Sequence, residues 1–302
     1  MKIATFTQTN VQIPVERGIQ LGAWLFLPDA PLPLPAITMA HGYAGSKYHG
    51  LKPFAEFFAR AGFVVLVHDH RGFGDSGGSP RQDVNPWQQI ADWRRAVSYL
   101  ESLPEVDAGR IGIWGTSYAG GHALVLAATD RRLKTVVSQV PIISGIEQGK
   151  RRTTPDMIPV LEYFLTDDER SQFKGNPAKY MAVVSDDKSQ RAAYYAPEVI
   201  DFYLQPMPQH KWENKVTIRS AFWSRMYEPG GFISLISPTP LLMIVADNDS
   251  VTLTDVELAA YERALQPKEL LLIKGGHFDP YIKQFEEAAS AALAWFNQHL
   301  NK

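Results

Sequence analysis

Two hydrophobic patterns alternate along most of this chain. Short, uninterrupted apolar runs, such as residues 63–67, 134–140 and 240–246, predict parallel strands that are buried on both faces. Segments between them, such as residues 50–61 and 88–103, have apolar residues at helical spacing and predict amphipathic helices. The alternation predicts an α/β fold, with a mostly parallel, twisted sheet and helices on both faces.

The two ends of the chain extend this pattern. Residues 9–28 contain two alternating segments joined at residues 16–18, which predicts a β-hairpin. After residue 250 the chain reads as a helix, a strand over residues 268–274 and a final helix from about Pro280 to Leu300. We therefore predict that residues 1–140 and 238–302 form one α/β core.

The middle segment, residues 141–237, breaks the alternation. It is charged at first, then rich in aromatic residues, with helical patches and no convincing strand. An insertion between two strands of such a sheet is expected to cover the strand ends, where ligands bind. The pattern predicts a helical lid, although many of its aromatic side chains are expected to pack within the lid itself.

Composition narrows the function classes. The 302 residues carry a formal charge of −2, which gives no reason to expect nucleic acid or an anionic membrane as a partner. There are no cysteines, so disulfides, thiol nucleophiles and thiolate metal sites are excluded. No cofactor is predicted. No apolar stretch resembles a signal peptide or a membrane span, so we expect a cytoplasmic protein.

The segment 110–126 holds the strongest chemical signal. It reads as a buried strand, a sharp turn through GTSYA and a helix, and Ser117 lies in the turn. A serine at a tight strand-to-helix turn is exposed to attack a carbonyl beside a helix N-terminus. The usual motif is G-x-S-x-G, and here Ala119 replaces the last glycine while Gly120 and Gly121 follow it. The alternative is that Ser117 only caps the helix.

A serine nucleophile needs a base, and the base needs a carboxylate. His277 follows a glycine pair at the end of a predicted strand, and Asp249 follows the apolar run that ends near Ala246. Asp247 competes for the acid role, but Asp249 lies further into the turn, where it can reach a histidine on the next strand. The order Ser117, Asp249, His277 is the order expected of α/β-hydrolases.

An oxyanion hole needs two donors. The backbone N–H of Tyr118, directly after the serine, is one candidate. The loop from His41 to Gly45 follows a predicted strand, and Tyr43 is the candidate for the second donor, through its N–H or its phenol hydroxyl. A simple glycine-rich turn is the alternative for this loop.

His68 and His70 flank Asp69 and invite a metal interpretation. No further ligand set with regular spacing accompanies them, so packing or loop roles are favoured and no metal is predicted.

These motifs together resemble the α/β-hydrolase superfamily. The resemblance rests on Ser117, Asp249, His277, the His41-Gly42 loop and the segment DHRGFGDSGG at residues 69–78. The turn GTSYAGG is similar to that of dienelactone-hydrolase-like and Xaa-Pro dipeptidyl-peptidase-like members. Residues 223–252 also resemble bacterial relatives of fungal polyketide transferases. Dehalogenase and dienelactone hydrolase activities are disfavoured, since the nucleophile position holds serine rather than aspartate or cysteine.

The resemblance implies a covalent acyl-serine, and three functions follow. The leading hypothesis is hydrolysis of a carboxylic ester, thioester or amide. The second is an acyltransferase that passes the acyl group to an alcohol or amine, and the third is a non-catalytic ligand receptor on the same fold. The aromatic lid favours a small-molecule substrate with an apolar acyl or alcohol portion. Whether copies associate as a homo-oligomer stays open.

Overall fold

The computed structural model describes residues 4–301, so the outermost residues of the predicted core, 1–3 and 302, lie outside the described residues. Eleven strands form within the described range. In chain order they are β1 (Phe6–Pro14), β2 (Gln20–Pro28), β3 (Leu34–Ala40), β4 (Val64–His68), β5 (Val106–Thr116), β6 (Leu133–Gln139), β7 (Tyr180–Val184), β8 (Ala192–Tyr194), β9 (Val216–Thr217), β10 (Leu241–Ala246) and β11 (Lys268–Ile273).

Nine α-helices connect these strands within residues 4–301. In chain order they are α1 (Leu51–Arg60), α2 (Pro86–Glu101), α3 (Tyr118–Thr129), α4 (Gly145–Arg152), α5 (Ile158–Phe173), α6 (Pro197–Tyr203), α7 (Ile218–Arg225), α8 (Thr254–Arg263) and α9 (Phe285–Leu300). None of them is both long and apolar enough to cross a membrane.

Eight strands form one sheet in the order β1-β2-β4-β3-β5-β6-β10-β11. The hairpin of β1 and β2 pairs antiparallel, and β2 also meets β4 antiparallel. All the remaining pairs, from β4 and β3 across to β10 and β11, are parallel. The predicted α/β fold with a mostly parallel sheet is confirmed.

Helices cover both faces of this sheet because each helix presents one apolar stripe. On one face α1 and α9 enclose a core that includes Phe54, Phe58 and Phe296, all fully buried. Burial of each such side chain stabilises the fold by roughly 1.5–3 kcal/mol. On the opposite face α2, α3 and α8 pack, together with lid residues.

The first turn of α2 shows how the sequence sets an element boundary. Asn85 has extended backbone and its side chain accepts a hydrogen bond from the N–H of Gln88, while Pro86 takes the first helical position. Both choices favour a helix start. The helix therefore begins at residue 86, two residues before the apolar spacing alone predicts.

The lid segment differs from its prediction in one respect. Besides α4 to α7 it contains β7, β8 and β9, which form a separate three-stranded sheet. The expectation that this segment has no strand is wrong. Strand β8 has three residues and β9 has two, which is too short for a repeating apolar pattern. The division of the chain at residues 141 and 238 stays a prediction.

Candidate active site

Four loops meet at the carboxyl edge of the large sheet, where ligands bind in open α/β folds. They follow β3, β5, β10 and β11, which hold neighbouring or near-neighbouring positions in the sheet. The loops contribute Tyr43, Ser117, Asp249 and His277, in that order. The topology therefore gathers residues that are up to 234 positions apart in the sequence.

Ser117 lies in a strained turn between β5 and α3. Its φ of 55° and ψ of −121° fall in a region that side-chain-bearing residues rarely adopt. Its side chain makes no capping hydrogen bond to the helix. The capping alternative therefore does not describe this serine, whose hydroxyl points away from the helix toward His277.

The glycines after the turn have a packing role. A Cβ atom on Gly120 would lie 2.9 Å from Pro141 Cα, and one on Gly121 would lie 2.7 Å from Ile142 Cγ2. Both separations are shorter than real Cβ contacts, so glycine is needed here. Ala119, the residue that departs from the usual motif, is fully buried and fits.

His277 joins the serine to a carboxylate. Its Nε2 lies 3.0 Å from Ser117 Oγ, and its Nδ1 lies 2.7 Å from Asp249 Oδ2. Both distances lie in the range of hydrogen bonds. His277 and Asp249 are buried, with exposed fractions of 2% and 5%. The three residues that the sequence singles out are thus brought into one hydrogen-bonded row.

Hydrogen bonds from its own loop stabilise the ionised form of Asp249. Its Oδ1 accepts from the N–H groups of Val251 and Thr252, at 2.7 and 2.8 Å, and its Oδ2 accepts from the Thr252 hydroxyl. Burial is the largest single influence on the pKa of Asp249, and it favours the protonated form. The charge and hydrogen bond of His277, with the Thr252 bonds, outweigh burial and bring the pKa of Asp249 below its usual value.

Asp247 has a different task. It is exposed, and its Oδ1 accepts a hydrogen bond of 2.8 Å from the N–H of Gly275. This bond ties the end of β10 to the loop that carries His277. The structure pairs Asp249, not Asp247, with the histidine.

A second buried acid, Glu257, stands behind this row. Thr252 Oγ1 lies 3.1 Å from Glu257 Oε1 and 2.7 Å from Asp249 Oδ2. Burial raises the pKa of Glu257 well above its usual value, and the negative charge of Asp249 raises it further. The Thr252 hydroxyl has a single proton, so it can donate only one strong hydrogen bond. A protonated Glu257 can therefore donate to Thr252 while Thr252 donates to Asp249.

Sequence analysis misses Glu257 and Thr252. Glu257 lies in α8 at a position that reads as one more charged residue of an amphipathic helix, yet it is fully buried. Its partner Thr252 lies five residues earlier in the chain. The signal in the sequence is a charged residue that closely follows the loop of the candidate acid, Asp249.

The two candidate oxyanion donors lie beside the serine. A Cβ atom on Gly42 would lie 3.3 Å from Ser117 Oγ, so the loop after β3 passes next to the hydroxyl. Within residues 4–301, no protein group accepts a hydrogen bond from the N–H of Tyr43 or of Tyr118. The phenol of Tyr43 instead contacts Ser224 in the lid. Its backbone N–H is therefore a donor without an acceptor among the described residues, in the loop that passes Ser117.

The carbonyl groups of this loop are fixed from both sides. From the lid, the Tyr203 hydroxyl donates to the Tyr43 carbonyl, and Trp212 Nε1 donates to the Ala44 carbonyl at 2.7 Å. From the core, His41 Nε2 accepts from the N–H of His70, so its Nδ1 carries the proton and donates to the Gly42 carbonyl. Side-chain hydrogen bonds therefore fix the loop from His41 to Gly45, which is more than a simple glycine-rich turn.

His68 and His70 are buried, and Asp69 between them pairs with a lysine. Asp69 Oδ1 accepts from the N–H of Lys47 and its other oxygen pairs with the Lys47 ammonium. Burial lowers the pKa of His68 to about 3 and lowers that of His70. Over the described range, no group of three or more His, Cys, Asp or Glu side chains could hold a metal ion.

Two cavities lie under the lid at this edge of the sheet. A small one of about 20 Å³, enough for roughly one water molecule, is lined by Ser117 and His277. A larger one of about 470 Å³ is lined by the side chains of Tyr43 and Tyr118 and by the lid. Three residues line both cavities: Tyr194, Val199 and Val251.

Fold and site define an α/β-hydrolase enzyme, and known proteins agree with this class. The family model described as X-Pro dipeptidyl-peptidase (S15 family) matches residues 17–279. The chain belongs to this family.

Three individual proteins are similar over most of their length. The quorum-quenching protein AidA of Acinetobacter baumannii is 34% identical, over 87% of this chain and 86% of its own. The polyketide transferase grgF of Penicillium sp is 28% identical over 99% of both chains, and a crystal structure titled as an α/β hydrolase GrgF superposes with a TM-score of 0.85 at 25% identity, covering 98% of this chain and 100% of that one. A thiohydrolase of Eupenicillium brefeldianum is 29% identical over 95% of this chain and 92% of its own.

The expected superfamily is confirmed, including the similarity to S15-type members and to polyketide transferases. Hydrolase relatives support an enzyme over the non-catalytic receptor. The names of the relatives divide between hydrolysis and group transfer, so the family alone leaves the acceptor of the acyl group open.

Proposed function

We propose that this protein is a serine hydrolase that cleaves a carboxylic ester or thioester through an acyl-serine intermediate. The observation that carries the proposal is the row Asp249, His277, Ser117, with hydrogen-bond distances of 2.7 and 3.0 Å. Asp249 Oδ2 accepts from His277 Nδ1–H. The unprotonated Nε2 then faces the serine hydroxyl, as a general base must.

In the first half of the reaction, Ser117 Oγ attacks the carbonyl carbon as its proton passes to His277 Nε2. The carbonyl oxygen gains the negative charge and is bound by the N–H groups of Tyr43 and Tyr118. The donors are preorganised, and loss of one such donor typically costs about 2.7–4 kcal/mol of barrier. When the tetrahedral intermediate collapses, His277 gives its proton to the leaving alcohol or thiol.

In the second half, a water molecule takes the place of the leaving group. His277 accepts a proton from the water as its oxygen attacks the acyl carbon, and the same N–H groups bind the second oxyanion. When this intermediate collapses, the bond from the acyl carbon to Ser117 Oγ breaks, His277 returns its proton to that oxygen, and the carboxylic acid is released. The small cavity beside Ser117 and His277 has room for this water.

The substrate class follows from the large cavity and from the relatives. Its walls are mainly apolar and aromatic, which suits an apolar acyl or alcohol portion. Relatives named thiohydrolase support a thioester as one natural substrate. We extend the proposal to small-molecule thioesters on this basis.

The test compares wild type with Ser117→Ala on p-nitrophenyl esters and N-acetylcysteamine thioesters of increasing acyl length. We expect turnover and fluorophosphonate labelling to disappear in the variant, with an unchanged circular dichroism spectrum. Turnover that survives the substitution would show that Ser117 is not the nucleophile.

Acyl transfer to an alcohol or amine is the second candidate. It is favoured by the near-complete burial of His277 and Asp249 and by the relatives named polyketide transferase. A site with little water favours another acceptor. The measurement is product partition: with an added alcohol, a transferase forms a new ester at the expense of the free acid, whereas a hydrolase forms the acid at an unchanged rate.

A further inference from the structure

The larger cavity shares three lining residues with the small cavity at Ser117, and the charged side chains in its lining are all positive. Its lining includes Arg152, at the end of α4, and Arg225, at the end of α7. No aspartate or glutamate belongs to this lining as the structure describes it. The remaining walls are uncharged.

Arg225 has no protein partner for its charge. None of its guanidinium nitrogens forms a hydrogen bond or an ion pair within residues 4–301, and its Nη1 is buried. A buried donor of a charged group without an acceptor is costly. The stem of Arg225 packs against Gly149 of α4, with Cγ and Nε 3.7 Å from the position of an added Cβ. The guanidinium is thus directed by packing rather than by a carboxylate.

Arg152 is the second arginine that lines this cavity. Its Nη2 donates to the Val251 carbonyl at 2.7 Å, and its guanidinium lies 4.8 Å from the centre of the Tyr194 ring. Val251 and Tyr194 also line the small cavity at Ser117. Arg152 therefore contacts two of the residues that line both cavities, and its other N–H groups are free of hydrogen bonds among the described residues.

We propose that Arg152 and Arg225 bind an anionic oxygen group of the substrate, a carboxylate or a phosphate, while Ser117 attacks its ester or thioester carbonyl. Guanidinium groups match both anions through paired N–H donors. The bound anion would supply the hydrogen-bond acceptor that the buried Nη1 of Arg225 lacks. This inference rests on the proposed function and narrows its substrate class from apolar esters to esters that carry a negative charge some distance from the reacting carbon.

Three thioesters separate the sources of the charge. Butyryl-N-acetylcysteamine is neutral, glutaryl-N-acetylcysteamine has a carboxylate on the acyl part, and butyryl-phosphopantetheine has a phosphate on the leaving part. For each we would compare kcat/KM of wild type, Arg225→Gln, Arg225→Lys and Arg152→Gln. Arg151→Gln is the matched control, because Arg151 neighbours Arg152 but pairs with Asp255 outside the cavity.

We expect wild type to prefer one anionic thioester over the neutral one. The preference should fall about tenfold in Arg225→Gln and in Arg152→Gln, and Arg225→Lys should restore part of it. Arg151→Gln should retain the wild-type ratio. Equal rates on all three substrates in wild type, or a loss in Arg225→Gln that is the same for neutral and anionic thioesters, would overturn the inference while leaving the hydrolase proposal intact.

A binding measurement covers the case in which none of the thioesters is turned over, which would count against the hydrolase proposal itself. Titration calorimetry of Ser117→Ala with monomethyl glutarate and with phosphopantetheine should show saturable binding. This binding should be lost in the double variant that combines Ser117→Ala with Arg225→Gln. Absence of binding of both anions to Ser117→Ala would refute the anion site independently of catalysis.

Discussion

Gly42 lies against Ser117 so closely that a Cβ on the glycine would stand 3.0 Å from the serine Cβ. The backbone of Ser117 is strained and hydrogen-bonded, since its N–H donates to the Gln139 carbonyl at 2.9 Å. The turn cannot retreat without breaking this bond. The Gly42-to-Ser117 contact is therefore what sets the distance between the candidate oxyanion loop and the nucleophile.

Gly42→Ala should consequently lower kcat/KM on p-nitrophenyl butyrate by about 100-fold, because small displacements of reacting groups cost that much. Gly45→Ala is the matched control. Its added Cβ would have its nearest neighbours at 3.7 Å, an ordinary contact. If Gly42→Ala retains wild-type kcat/KM, the loop does not form the oxyanion site.

Asp249→Asn should lower kcat by about 10⁴-fold, by analogy with the loss of the triad carboxylate in other serine enzymes. The amide cannot hold the histidine in the tautomer that leaves Nε2 unprotonated. Asp247→Asn keeps an oxygen to accept from the Gly275 N–H, and it should retain most activity. Steady-state kinetics on one ester measures both. A larger loss in Asp247→Asn than in Asp249→Asn would reverse the assignment.

Tyr203→Phe removes the hydroxyl that donates to the Tyr43 carbonyl. A hydrogen bond of this kind contributes about 0.5–1.5 kcal/mol, so we expect kcat to fall about threefold to tenfold. Tyr180→Phe is the control, since this lid residue donates its hydroxyl proton to the Arg81 carbonyl, outside the candidate oxyanion loop. Equal activity of both variants would show that the lid does not hold the oxyanion loop through this bond.

Glu257→Gln should make stability less dependent on pH. The pKa of Glu257 is raised in the folded protein by burial and by Asp249, whereas an unfolded glutamate has a pKa of about 4.3. Between these values the folded chain holds one proton more than the unfolded chain. The free energy of unfolding therefore falls as pH rises, by at most about 1.4 kcal/mol per pH unit.

Glutamine stays neutral and avoids this loss. The Tm of Glu257→Gln should match that of wild type near pH 4 and exceed it increasingly as the pH rises above the unfolded pKa. Glu262→Gln, at an exposed position of the same helix, should follow wild type throughout. A difference between Glu257→Gln and wild type that does not change with pH would show that Glu257 is ionised in the folded protein.

The sequence predicts those features of the fold and site that depend on local patterns. Apolar runs locate the strands of the large sheet, and residues at their carboxyl ends, such as Ser117 and His277, can be recognised because parallel strands share one edge. The small lid sheet escapes prediction because its strands are short. Glu257 and Arg225 escape it because a charged residue in a helix normally faces water, and only tertiary packing shows that Glu257 is fully buried and that the Nη1 of Arg225 is buried.

The central claim is that Ser117 carries the acyl group, and acid-quenched mass spectrometry tests it most directly. Protein mixed with an excess of p-nitrophenyl butyrate and quenched within milliseconds should gain one butyryl group, about 70 Da, which peptide mapping assigns to Ser117. The adduct should be absent from Ser117→Ala. An adduct on another residue, or substrate turnover with no acylated protein at any quench time, would contradict the account.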